Sequence, residues 1–161
     1  KANIAKEFEL LGISKNRIIF APSMELMADH LARLKYADLF LDTFPYNAHT
    51  TASDALWAGL PLLTRIGKSY PARVSASLLN ALGLPELITE TDQDYELRAL
   101  ELARDPSLLA QLRDKLARAR GSSPLFDARL FARHLESAYT QMHQRHLAGE
   151  RPSDIFVGAM T

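Results

Sequence analysis

The densest collection of chemically useful side chains runs from Asp42 through Thr43, Phe44, Pro45, Tyr46, Asn47, Ala48 and His49 to Thr50 and Thr51. A helical segment bearing Asp54 follows. A turn that opens a helix in this way presents unpaired backbone N–H groups, and the helix dipole adds partial positive charge. The Thr50 and Thr51 hydroxyls and the His49 ring can donate to phosphate oxygens, while Asp54, about one turn on, can accept from a sugar hydroxyl. This division of labour suits a nucleotide diphosphate. The same residues have a plainer reading. Thr51-x-x-Asp54 is a capping box and Thr50 is a good N-cap, and spacing alone favours capping.

Other polar groups carry less. His30 and Arg33 lie one turn apart on a helix and read as an exposed polar edge. His134, His143 and His146 read as surface residues of a long last helix. Trp57 reads as core, and Arg113, Lys115, Arg118 and Arg120 as a solvated basic face. The chain has neither GxGxxG nor the P-loop lysine motif, and no nucleophile–base pair stands out.

The elements that must position these groups alternate. Ile4, Phe8 and Leu11 recur at helical spacing up to Gly12. Short apolar runs at residues 17–20, 37–42, 61–64 and 87–88 read as strands without clean alternation, as in a sheet covered on both faces. Helices are expected over 24–35, over 50–58 with Gly59 ending it, and over 72–82. Thr91 with Asp94, and Asp105 with Pro106, read as the starts of two further helices. Leu108, Leu109, Leu112 and Leu116 form one apolar stripe. Phe131, Leu135, Ala138, Tyr139 and Met142 form another, on the final helix. Strand–helix alternation of this kind predicts an open parallel α/β sheet, Rossmann-like, with C-terminal helices around its edge. Ligands of such sheets bind beyond the carboxyl ends of the strands, where residues 42–51 fall.

Composition sets the outer limits. The chain has 161 residues, 47% of them hydrophobic, enough for a buried core. Lys+Arg and Asp+Glu both number 19, and the balance holds in each half of the chain, which argues against nonspecific nucleic-acid binding. Cysteine is absent, so disulfides, thiolate metal sites and a cysteine nucleophile are excluded. No apolar run approaches the roughly 18 residues of a membrane span, and the N-terminal stretch has no signal-peptide pattern, so a cytoplasmic location is expected. The chain lacks an initial Met and opens inside a helical pattern, which reads as a segment of a longer polypeptide.

The residues from Leu41-Asp42-Thr43 through His49-Thr50-Thr51, Asp54 and Leu56-Trp57-Ala58-Gly59 resemble the C-terminal catalytic half of protein O-GlcNAc transferases, glycosyltransferase family 41, in a form like the bacterial homologues. The resemblance extends to Arg17-Ile18-Ile19-Phe20, His30, Arg73-Val74, Gly83-Leu84, Ser122-Ser123-Pro124-Leu125-Phe126, and Leu135-Glu136 with Tyr139. It implies the second, donor-binding domain of a GT-B enzyme, whose two Rossmann-like domains face across a cleft. Residues 1–126 would form that domain, incomplete at its N-terminus. Residues 127–150 would be a helix packing on the sheet edge or the first domain, and 151–161 a tail. The implied reaction moves N-acetylglucosamine from UDP-N-acetylglucosamine to a Ser or Thr hydroxyl of a protein or peptide acceptor, with inversion and without a metal or cofactor. Partners implied are the first catalytic domain and a tetratricopeptide region of the same protein, with no nucleic acid and no membrane.

By this resemblance His30 lies against the uracil ring with Arg33 beside it, and His49, Thr50 and Thr51 hold the diphosphate. Asp54 binds the ribose, and Tyr46 falls on the sugar side. Met27 stands where vertebrate members have a lysine. The family's diphosphate lysine and its candidates for proton transfer fall outside this segment, which alone is expected to be inactive. Leu41 to Tyr46 is also similar to the Spindly branch, protein O-fucosyltransferases using GDP-fucose, although His49 and Asp54 fit the UDP branch better. A non-catalytic nucleotide-sugar-binding module and a sugar-nucleotide epimerase of related fold are the remaining alternatives.

Overall fold

The structure, a computed structural model, describes residues 1–159. It divides into two compact units, Lys1–Arg33 and a larger one beginning at Leu34. In the first unit, α1 (Ala2–Leu10) ends by returning the Ile13 N–H to the Phe8 carbonyl at 2.8 Å and the Gly12 N–H to Glu9 at 3.0 Å. This is the Schellman closure, in which a glycine lets the chain reverse over the last carbonyls. A short 3-10 turn, Lys15–Arg17, follows, its start capped by Ser14. The unit finishes with α2 (Met27–Arg33), shorter than the helix expected over 24–35.

The strand expected at residues 17–20 does not form. Ile18 has extended dihedrals, but residues 18–20 pair with no strand among the described residues. An apolar run specifies extended backbone, whereas a strand also needs a neighbour to complete the ladder.

The second unit holds a parallel sheet in the order β1 (Phe40–Leu41), β2 (Leu62–Arg65), β3 (Ile88–Thr89). Phe40 pairs with Leu62 and Leu41 with Leu63; Thr64 pairs with Ile88 and Arg65 with Thr89. Successive residues Leu62, Leu63 and Thr64 are all buried, so both faces of the central strand are covered. The crossovers are α3 (Thr50–Ala58) and α4 (Val74–Ala81); α5 (Asp92–Arg104), α6 (Pro106–Ser122) and α7 (Ala128–Leu147) follow. The expected open parallel α/β sheet is thus observed. Its core joins Ala52 and Leu56 of α3, Leu62 and Leu63 of β2, Leu79 of α4, Leu102 of α5, and Leu112 and Leu116 of α6.

Local signals place the helix ends. Gly59 adopts φ 87°, a left-handed conformation favouring glycine, and the Leu60 N–H then reaches the Ala55 carbonyl at 2.9 Å. The Thr91 hydroxyl accepts from the Asp94 N–H at 3.0 Å to open α5, and the Asp105 carboxylate accepts from the Leu108 N–H at 3.0 Å to open α6.

Three readings of side-chain environment are corrected. Trp57 is not core: it is 46% exposed and packs edge-on to Phe126 at 5.1 Å, with the Arg120 guanidinium 5.2 Å from its ring. The apolar stripe of α7 shares a helix face but is not buried, and Phe131 is 66% exposed. The basic cluster of α6 is not merely solvated: Arg113 donates to the Ala37 carbonyl at 2.7 Å and Lys115 pairs with Glu86 at 2.6 Å. Periodicity identifies a face; which element covers it is a tertiary matter. His143 and His146 are exposed as expected, while His134 is half-buried. Residues 151–159 carry no helix or strand, and the last two residues of the expected tail lie outside the described residues.

Candidate functional site

In the second unit the loops leaving the carboxyl ends of β1 and β2 meet. Residues 42–49 follow β1 and residues 66–73 follow β2. This is the end of a parallel sheet where open α/β folds hold ligands. Asp42, 7% exposed, organises the first loop. Its Oδ1 accepts from the Thr43 N–H at 2.9 Å and from the Ala48 N–H at 2.7 Å, and its Oδ2 accepts from the Thr64 hydroxyl at 2.7 Å. The Thr43 hydroxyl donates to the Tyr46 carbonyl at 2.7 Å inside the same loop.

Asn47 ties the two loops together. Its side-chain amide donates to the Thr43 carbonyl at 2.8 Å, and its backbone N–H donates to the Pro71 carbonyl at 3.0 Å. Gly67 allows the loops to touch: a Cβ there would lie 2.7 Å from the Ala72 Cβ and 2.9 Å from the Phe44 ring. The Arg65 guanidinium sits 3.9 Å from the centre of the Phe44 ring and pairs with Asp92.

The chain enters α3 at Thr50. His49 holds the N-cap position with φ −110° and ψ −91°, and its side chain makes no capping hydrogen bond. The expected N-cap at Thr50 and capping box of Thr51 with Asp54 are therefore corrected: Thr50 and Thr51 are the first two helical residues. The cause lies in the residue before His49. Asp42 takes the Ala48 N–H and the Ser75 hydroxyl donates to the Ala48 carbonyl at 2.9 Å, which leaves the next carbonyl, that of His49, to open the helix. The first helical bond runs from the Ser53 N–H to the His49 carbonyl at 3.1 Å. The amides of Thr50, Thr51 and Ala52 precede it and have no acceptor within the helix.

His49 lies between two tyrosines. Tyr46 stacks on its ring at 5.0 Å, and Tyr70 meets it edge-on at 6.1 Å. Both tyrosines are largely exposed, at 63% and 79%. The His49 Nε2 is buried without a hydrogen-bond partner among the described residues. A buried orphan of this kind is uncommon and costs free energy until a partner arrives.

Tyr46, His49, Thr50, Thr51 and Asp54 thus share one loop–helix junction. His30 and Arg33 belong to the first unit, where they meet each other: an Arg33 N–H faces the His30 Nδ1 at 2.9 Å, and Arg33 also donates to the Pro22 carbonyl. Guanidinium is donor-only, so Nδ1 is the acceptor in this contact.

Sequence reasoning missed three contributors. Tyr70 lies 21 residues beyond His49 and comes to it only through the second loop. Asn47 is 1% exposed, although its loop reads as a surface turn. Asp42 shows one visible sign, a carboxylate directly ending an apolar run, but its partner Thr64 lies on another strand. Tyr95 of α5 supports Asp42 from behind, donating its hydroxyl to the Asp42 carbonyl oxygen at 2.9 Å. Burial pushes the Tyr95 pKa up, and the Asp42 carboxylate adds to the rise.

Comparisons with known proteins agree with this architecture. The family model described as glycosyl transferase family 41 matches residues 1–135. A UDP-N-acetylglucosamine–peptide N-acetylglucosaminyltransferase of Caenorhabditis elegans is 39% identical over 86% of this chain and 12% of its own length. A Hordeum vulgare protein named as a probable UDP-N-acetylglucosamine–peptide N-acetylglucosaminyltransferase SPINDLY is 38% identical over 90% of this chain and 15% of its own. Among solved structures, a mutant O-GlcNAc transferase of Thermobaculum terrenum superposes with a TM-score of 0.80 at 36% identity, covering 88% of this chain and 27% of that one. The chain therefore spans between 12% and 27% of these relatives. Its parallel sheet and flanking helices fit the second domain of a GT-B enzyme, and the chain belongs to glycosyl transferase family 41.

Proposed function

We propose that this chain is the donor-binding half of an inverting, metal-independent glycosyltransferase that moves N-acetylglucosamine from UDP-N-acetylglucosamine to Ser or Thr hydroxyls of proteins. The observation carrying this reading is the start of α3. It offers uncapped amides, two adjacent threonine hydroxyls, and a histidine whose buried Nε2 lacks a partner. A diphosphate oxygen supplies that partner once the flanking tyrosine rings part.

In the reaction the acceptor oxygen attacks the anomeric carbon, and the bond from that carbon to the β-phosphate oxygen breaks. The electron pair passes to the diphosphate. Without a metal, the growing negative charge falls to the amides of Thr50, Thr51 and Ala52, the two hydroxyls and His49. Asp54 takes a ribose hydroxyl, and Tyr46 lies toward the sugar. The proton leaving the acceptor goes to a group in the remainder of the protein, so the isolated chain binds without turning over.

The likeness of Leu41 to Tyr46 to the Spindly branch leaves a second reading, a protein O-fucosyltransferase using GDP-fucose. Calorimetry of the full-length protein with UDP and with GDP separates the two: UDP is expected to bind more tightly, and a preference for GDP rejects the leading reading. His49→Ala is expected to weaken UDP binding about tenfold, the worth of one charge-assisted hydrogen bond, without unfolding the protein. An unchanged dissociation constant removes His49 from the site. Incubation with UDP-N-acetylglucosamine and a peptide acceptor tests for a non-catalytic module, which would bind UDP and transfer nothing.

A further inference from the structure

We propose that Asp42, held by Thr64, is the positioning residue of the donor site. The inference rests on the reading above and deepens it. The Asp42 backbone is fixed on both sides: its N–H donates to the Leu63 carbonyl at 3.0 Å, and its carbonyl accepts from the Tyr95 hydroxyl at 2.9 Å. Its carboxylate Oδ1 joins the Thr43 and Ala48 amides, the two ends of the loop, at one atom. Both peptide groups flanking the Ala48 Cα are thereby held, the one before it by Asp42 through the Ala48 N–H and the one after it by Ser75 through the Ala48 carbonyl. The next residue is His49, and the next amides are those of Thr50 and Thr51. Whatever orients Ala48 therefore orients the anion-binding groups.

Thr64 controls the clamp from a distance. It lies fully buried in β2, and its hydroxyl donates to the Asp42 Oδ2 at 2.7 Å. Its carbonyl is engaged by the Thr89 hydroxyl at 3.0 Å, on the side of β3. Its hydroxyl thus acts on the site through Asp42. Bonds to a carboxylate are about twice as strong as neutral ones, so loss of this one lets the carboxylate and the Ala48 peptide turn. The consequence is weaker binding of a nucleoside diphosphate, with the acceptor side untouched.

The test uses the full-length protein, with UDP calorimetry and steady-state kinetics in UDP-N-acetylglucosamine and a peptide acceptor. Thr64→Val keeps the shape and removes the hydroxyl. It is expected to raise the UDP dissociation constant and the donor KM about fivefold and to leave the acceptor KM unchanged. Asp42→Ala is expected to weaken UDP about thirtyfold or more, and adding Thr64→Val to it should cause no further loss, because both act through one carboxylate. Asp42→Asn is expected to restore binding to within about threefold of wild type, since its carbonyl keeps both amide bonds and its NH2 can donate to Thr64.

Unchanged UDP affinity in Thr64→Val overturns the proposal even if Asp42→Ala fails to fold. So does an Asp42→Asn protein that binds no better than Asp42→Ala. Wild-type protein that binds neither UDP nor GDP overturns the donor-site reading, and this proposal with it. Normal wild-type binding with unaffected variants overturns the positioning role alone.

Discussion

The starts of α3 and α6 answer one physical problem in opposite ways. A helix begins with amides that lack acceptors. At α6 the answer is local: Asp105 accepts the Leu108 N–H, and Pro106 brings no N–H to the first position. Four consecutive residues complete that end of the helix. At α3 the N-cap position falls to His49, whose side chain makes no capping bond, and the amides of Thr50 to Ala52 are left without an acceptor in the helix. The position of α3 is instead set from outside, by Asp42 and Ser75 gripping Ala48 and by Asn47 reaching Pro71. An end built for stability is finished by its neighbours in sequence. The start of α3 is braced by distant residues instead, a local inconsistency of the kind that marks function, and the proposed role of anion binding accounts for it.

The sharpest way to break this contrast is to make α3 resemble α6. His49→Asp places a good N-cap before Thr50. UDP binding should fall about a hundredfold through like-charge repulsion, while the new cap adds about 0.5–2 kcal/mol to the helix. Calorimetry and thermal melting of the same protein read both effects, and retained UDP affinity would erase the distinction between the two helix starts. Gly67→Ala attacks the bracing instead. Its Cβ meets Ala72 and Phe44 inside van der Waals distance, and overpacking of this kind costs about 1–3 kcal/mol. A drop in melting temperature together with weaker UDP binding is expected, because the loop carrying Phe44 also carries His49.

Asp105→Ala is the matched control at α6. It should cost about 1 kcal/mol and speed hydrogen exchange at the start of that helix. UDP affinity should not move; if it does, the two starts are coupled. The smallest effect is expected at Tyr95. Removing its hydroxyl with Tyr95→Phe loses one hydrogen bond to Asp42, about 0.5–1.5 kcal/mol near neutral pH. The raised folded pKa adds a pH dependence. Below the ordinary value of 10.0 both states keep the phenol proton and the contribution is fully present. As pH rises past that value the unfolded chain loses its proton first, so stability falls until the folded pKa is passed. Urea melts between pH 9 and about 11 should show this decline in wild type and a shallower one in Tyr95→Phe.

Some of this was legible in the residues alone because the forces involved are short-ranged. The caps at Thr91 and Asp105 act over three residues, the reversal at Gly59 needs only its own φ, and the span of α3 follows from its spacing and that glycine. The alternation of short apolar runs with helical patterns was enough for a parallel sheet, and the position of residues 42–51 after a strand was enough to locate the candidate site. The resemblance carried by His49-Thr50-Thr51 and Asp54 pointed to the family that the comparisons then showed.

Other features could not be read there, because each depends on a partner far along the chain. Residues 17–20 have the composition of a strand and no ladder among the described residues. Trp57 has the composition of a core residue, yet it stays 46% exposed, with Phe126 edge-on to its ring and the Arg120 guanidinium over it. Thr50 has the chemistry of an N-cap, yet Ala48 is held so that the helix starts one residue sooner. The sequence by itself determined the secondary-structure grammar, the local caps and which polar side chains gather at the start of α3, since these rest on interactions between near neighbours. Only the tertiary structure decided that Thr64 would meet Asp42, that Tyr70 would meet His49, and that the first amides of α3 would remain open, since burial and hydrogen bonding across strands bring together residues that no local spacing connects.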